Sequence, residues 1–266
     1  MQKLEGSAMT ELVEGDRLKR ADILLSHAKR SLLSRLIRFG TDCYWNHALM
    51  IYTIRSPKQG YDATFIIESG GAGIDIHNIT HYFKQPEKYD VAVKRFEAEW
   101  FKDDSETGGL RYRKKVRGFA LKEIDDKYNH RLILDIARRF IRQLILGFLF
   151  PWMRIRKKPL EQRQIGVPRI AKRLNINTYI CSGFVQWAYY KAVSQIREED
   201  KSDTPEIQEI LFNPRFDGDV TPEDMLSTTP ADLARSDKLN WKYVIKDGEV
   251  WEVSSAKDVD EVLREK

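Results

Sequence analysis

The stretch YWNHALMIYT, Tyr44–Thr53, alternates as a β-strand does, yet one position on its apolar face is a histidine. Period-two alternation puts Trp45, His47, Leu49, Ile51 and Thr53 on one side. Downstream, TFIIES, Thr64–Ser69, repeats the pattern, with Thr64, Ile66 and Glu68 sharing a face. Each face is apolar with one polar intruder. Between the two runs, RSPKQG carries Pro57 and Gly60, which mark a turn. A four-residue loop, Ser56–Gln59, would pair Arg55 with Gly60. Counting outward then sets Ile51 opposite Thr64, Leu49 opposite Ile66 and His47 opposite Glu68. Directly opposed Cβ atoms lie about 4.5–5.5 Å apart, close enough for a carboxylate to accept a proton from an imidazole. The two intruders are expected to meet.

An imidazole held this way is fixed in tautomer and direction, and the carboxylate raises its pKa while the second nitrogen is left to exchange a proton. It needs a nucleophile. In YICSGFVQWAYYKAV, Tyr179–Val193, Phe184, Trp187 and Ala188 recur at helical spacing, which predicts a helix starting at or near Cys181. A thiol at a helix N-terminus meets free N–H groups and partial positive charge, both of which favour thiolate. Beside an imidazolium the ion pair becomes the resting form. The N–H of Cys181 itself is one donor for an oxyanion.

Each residue also has a plainer reading. His47 could be a hydrogen-bonded core histidine, Cys181 a packing residue, and Glu68 a solvent-facing strand end before SGGAG. Their joint arrangement favours Cys181, His47 and Glu68 as a catalytic set. Cys43, ahead of a strand with no helix behind it, reads as structural. His27, His77, His81 and His130 fall in loop-like or helical polar contexts. A metal site built from Cys181, His47 and Glu68 finds no support in an HExxH or CxxC pattern, and ESGGAG lacks the form of a phosphate-binding loop. No metal and no cofactor is expected.

The chain of 266 residues is long enough to bury a core without disulfides, and its two cysteines exclude a disulfide-stapled scaffold. The first twenty residues hold no apolar segment of the kind a signal peptide needs, so a cytoplasmic protein is expected. The net charge of +5 is unevenly spread: residues 138–173 hold eleven Lys and Arg against the single acid Glu161. Within them, LILGFLFPWM, Leu144–Met153, is far shorter than the roughly 20 residues of a spanning helix. This basic, aromatic extension reads either as a helix end and solvated loop, or as a peripheral contact with an anionic membrane. Without a recognisable reading motif, no nucleic acid is expected as partner.

Elsewhere, Ile23–Leu25 reads as a buried strand, AKRSLLSRLIRFGTD, with Leu32, Leu33, Leu36 and Ile37 at helical spacing, as an amphipathic helix stopped by Gly40, and Val91–Phe96 as a third strand. GLRYRKKVRGFALKEID and NHRLILDIARRFIRQLI read as helices. Residues 197–226, rich in acids, Pro and Gly, look like an acidic surface excursion. Thr229, Pro230 and Asp232 signal a helix start, and WKYVIKDGEVWEV a hairpin turning at Asp247-Gly248. Strands and helices mix without strict βαβ order, which predicts an α+β fold, an antiparallel sheet or partial barrel packed against helices.

In ADILL, SRLIRFGTDCYWNHALMIY, FIIESGGAGIDIHNI, YDVAVKRF, YICSGFVQWAYYKA and TTPADLARS, taken in that order, the chain resembles the circularly permuted, YiiX/YebB-like branch of the NlpC/P60 superfamily of papain-like cysteine hydrolases. The likeness spans about residues 20–245 and implies one permuted domain over 1–266. It also implies Cys181 as nucleophile, His47 as general base and acid, and Glu68 as the group orienting the ring. Ala21 departs from the usual glycine before Asp22, and Lys127–His130 matches only loosely. The resemblance implies cleavage of amide bonds in a peptide or peptidoglycan fragment. Two rival readings are an LRAT-like lipid acyl hydrolase or acyltransferase with an acyl-lipid substrate, and a catalytically idle module that docks on membrane surfaces.

Overall fold

The computed structural model of the protein describes residues 1–30, 43–60, 62–70, 73–106, 108–124, 181–200, 205–214 and 220–265. The helix expected around Leu32–Ile37, that from Asn129, the basic extension 138–173 and His130 lie outside the described residues. Among the described residues the chain is α+β. Its strands are β1 (Gln2–Leu4), β2 (Ile23–Ala28), β3 (His47–Thr53), β4 (Phe65–Gly70), β5 (Gly73–Asn78), β6 (Tyr89–Phe96), β7 (Leu239–Lys246) and β8 (Glu249–Glu252). The helices are α1 (Thr80–Phe83), α2 (Glu99–Lys102), α3 (Gly109–Lys122), α4 (Cys181–Glu199), α5 (Pro222–Leu226), α6 (Pro230–Arg235) and α7 (Ala256–Arg264). Every strand pairs antiparallel in one open sheet, ordered β1-β8-β7-β6-β2-β3-β4-β5.

Two cores flank the sheet. On one side Ile23, Leu25, Ala48, Met50, Ile67 and Ala92 meet the buried stripe of α4, among them Phe184, Val185, Ala188, Tyr189 and Ala192. On the other, Leu24, Leu49, Ile51, Ile66, Val91 and Val93 meet Leu12 and Val13 of a π-helical turn, Met9–Glu14, with Tyr82 and Phe83 of α1. β2 is buried on both sides, as its near-continuous apolar run requires. Trp45 joins the α4 side rather than that of His47, because regular alternation begins only at His47.

Local chemistry fixes several boundaries. The Thr229 hydroxyl accepts from the N–H of Asp232 and the Asp232 carboxylate answers at Thr229, a reciprocal cap that starts α6 as expected. The β7–β8 hairpin turns on Asp247 at φ 52° and Gly248 at φ 87°, the paired positive angles that a two-residue turn of matching twist demands. Residues 197–226 are less exposed than their composition suggests: Ile210, Leu211, Phe212 and Met225 are buried. Gln186 of α4 holds this stretch, donating to the carbonyl of Ile210 at 2.8 Å and accepting from the N–H of Phe212 at 2.8 Å. The sheet also runs past residues 20–245, through β1 at one end and β8 at the other, and α7 packs Val259 and Val262 beyond it.

Candidate active site

β3 and β4 pair with Ile51 opposite Ile66 and Leu49 opposite Glu68, two residues out of the expected register. The cause lies in the connection. The strands stop at Thr53 and Phe65 around a 3-10 turn at Pro57–Gln59, with an irregularity between Ile51 and Thr53, so the loop is longer than four residues. A shift of two preserves side-chain parity, whereas a shift of one would have sent Glu68 to the other face. His47 and Glu68 are therefore diagonal rather than direct neighbours, within reach of long side chains. The Nε2 atom of His47 stands 2.5 Å from Oε2 of Glu68.

The ladder between β3 and β4 ends at Leu49 and Glu68. Beyond it, His47 and Ala48 pair only with Ser26 and Leu25 of β2, while Ser69 and Gly70 pair with Ile74 and Gly73 of β5. The two strands part as a fork. Cys181, first residue of α4, brings its sulfur to this opening, where it accepts hydrogen bonds from the backbone N–H groups of Ala48 and Ser182. It also bonds to the ring of His47. Because Nε2 serves Glu68, Nδ1 is the nitrogen left for the sulfur.

Electrostatics follows from this chain of contacts. Burial opposes charge on all three groups, yet the charges sustain one another. For Cys181, desolvation raises the pKa, but the His47 charge and hydrogen bond and the two backbone donors bring it below the ordinary thiol value. For His47, burial pulls down, while the Cys181 thiolate and the Glu68 carboxylate push it up from 6.5 to about 10. For Glu68, burial raises the pKa, and His47, the hydroxyl of Tyr82 and the charge of His77 lower it from 4.5 to about 2. The carboxylate raises the pKa of the ring as expected, and the thiolate adds to it. Two anions thus hold it protonated.

Two neighbours escaped the sequence reading. Tyr82 donates its hydroxyl to Oε2 of Glu68 at 2.6 Å, and Nε2 of His77 lies 3.6 Å from Oε1. His77 sits in β5, not a loop, and the alternation of Ile74, Asp75, Ile76 and His77 was the available signal. Tyr82 had none, because it acts through the single turn α1 that follows an edge strand. His27 is likewise a strand residue, buried in β2 with its ring edge-on to Tyr44 at 4.0 Å between centroids. His81 belongs to α1.

Among the described residues no group of histidines, cysteines and acids could hold a metal ion, and no helix is long and apolar enough to cross a membrane. A scan against protein-family models and a comparison with curated proteins both returned no match to the chain.

Proposed function

We propose that this protein is a cysteine hydrolase of amide bonds, acting on a peptide or peptidoglycan-type substrate, and a permuted relative of the NlpC/P60 enzymes. The observation that carries this reading is the unbroken line from the Cys181 sulfur through the ring of His47 to the Glu68 carboxylate. The thiolate attacks the carbonyl carbon and forms a C–S bond, and the carbonyl oxygen becomes an oxyanion facing the backbone N–H of Cys181 at the start of α4. His47 gives the proton on its sulfur-facing nitrogen to the leaving amine as the C–N bond breaks. Water then attacks the thioester and loses its proton to His47. The C–S bond breaks, and the acid leaves.

The orienting group supports an amide hydrolase over the lipid-directed relatives, which commonly use a second histidine. Here a carboxylate holds the ring, and His77 stands on the far side of that carboxylate. Retention of a half-buried His47 bonded to a buried Glu68 also counts against an idle module, since desolvating both is costly. The test is acyl-enzyme trapping. The protein is offered peptide amides and fatty-acyl esters separately and its intact mass is recorded, with Cys181→Ala as control. An adduct on Cys181 from the amides is expected. An adduct from the esters alone would move the assignment to lipid chemistry, and none from either would defeat it.

A further inference from the structure

We propose that Tyr82 is a positioning residue for this site, a fourth member that acts through Glu68 to keep one carboxylate oxygen aimed at His47. The proposal rests on the reading of Cys181, His47 and Glu68 as a reactive set. It deepens that reading with a residue no sequence pattern singled out.

A glutamate carboxylate turns easily about its last bond, whose torsion is broad and nearly two-fold. With His47 as its sole partner, either oxygen could face the ring and the other could drift toward solvent. Tyr82 removes that freedom. Its hydroxyl donates at 2.6 Å to Oε2, the same atom that faces Nε2 of His47 at 2.5 Å, and both contacts are charge-assisted. His77 faces the opposite oxygen at 3.6 Å. The carboxylate is thus held from two sides, with Oε2, which accepts from both Tyr82 and His47, toward the ring.

The phenol is itself held in place. Tyr82 is 5 % exposed, its ring lies 5.1 Å from that of His81 and 4.8 Å from that of Tyr89, and α1 anchors it through the neighbouring buried Phe83. The titratable groups around this junction are His47, Glu68, His77, His81, Tyr89 and the Cys181 thiol. A buried phenol needs some acceptor, and a backbone carbonyl would have served. The use of Oε2 is what ties Tyr82 to the ring.

The experiment observes the ring itself and needs no substrate. Protein with 15N-labelled histidine is titrated by NMR as wild type, Tyr82→Phe, Glu68→Gln and the double variant, with melting temperatures measured alongside. In wild type the His47 ring should stay doubly protonated beyond pH 8; an ordinary midpoint near 6.5 would defeat the ion-pair reading of the site before Tyr82 is considered. Given that, Tyr82→Phe should let the carboxylate turn away from the ring, which lowers the His47 midpoint and speeds exchange of the Nε2 proton with water. Glu68→Gln should lower it further, and the double variant should match Glu68→Gln alone, since the hydroxyl then has no carboxylate to steer. An unmoved or raised midpoint in Tyr82→Phe would overturn the proposal. So would effects that add in the double variant, or a loss of folded Tyr82→Phe protein at the assay temperature.

Discussion

Three side chains carry the candidate chemistry, and each was visible in the sequence for a local reason: a histidine on an apolar strand face, an acid in a matching strand, a thiol opening a helix. Their meeting depended on parity rather than on the register first counted. The reactivity of Cys181 follows from its environment, with His47 and two backbone donors favouring thiolate and Cys43 lacking the helix terminus. At about pH 6, iodoacetamide should modify Cys181 well ahead of Cys43, and His47→Ala should erase the lead; peptide mapping by mass spectrometry reads both rates. Ala21 poses a separate residue-scale question. It sits at φ 67°, where the NlpC/P60-like pattern has glycine, and its carbonyl accepts the hydroxyl of Tyr189 at 2.6 Å. The left-handed angle costs an L-residue about 1–2 kcal/mol, while the buried methyl returns about 0.8 kcal/mol. Ala21→Gly should therefore shift the melting temperature by only a few degrees, and Ala21→Val, β-branched at a positive angle, should lower it markedly.

At the scale of elements, the pieces legible in the sequence were those with local signatures. α6 announced its own cap, the β7–β8 turn its Asp-Gly pair, and α4 its apolar stripe. Those missed take their character from distant partners. β1 has three residues and exists because β8 lies beside it, and the 210–212 segment is buried because Gln186 receives it. α4 is also seated very closely on the C-terminal end of α5. The carbonyl of Leu226 occupies the space a Cβ on Gly183 would need, and Ser182 donates to the carbonyl of Thr228 at 2.6 Å. Gly183→Ala gains about 1 kcal/mol of helix propensity yet must push backbone aside, at a cost of about 1–3 kcal/mol or more. Calorimetry should show net destabilisation. Because Cys181 lies two residues away, its alkylation rate should change with it, and an unchanged rate would mean that the helix start is not set by this contact.

For the molecule as a whole, α+β was legible from the order of elements, but the sheet sequence was not. β6 lies between β7 and β2, far apart along the chain, and no local signal encodes such pairings. Stability should carry the imprint of the site. Glu68 falls from 4.5 to about 2 on folding, so its contribution is complete above about 4.5 and fades as pH drops toward 2. His47 rises from 6.5 to about 10, so its contribution is complete below about 6.5 and is lost as pH climbs through 10. The melting-temperature gap between wild type and His47→Ala should be widest near pH 5–6 and narrow toward pH 10; a gap that widens with rising pH would refute the linkage. The parting of β3 from β4 has a consequence of its own. Since the amide of Ala48 is spoken for by a sulfur and not by a neighbouring strand, alkylating that thiolate weakens its acceptor. Capping the sulfur would then free that amide, making the backbone of β3 a reporter of the state of the thiol.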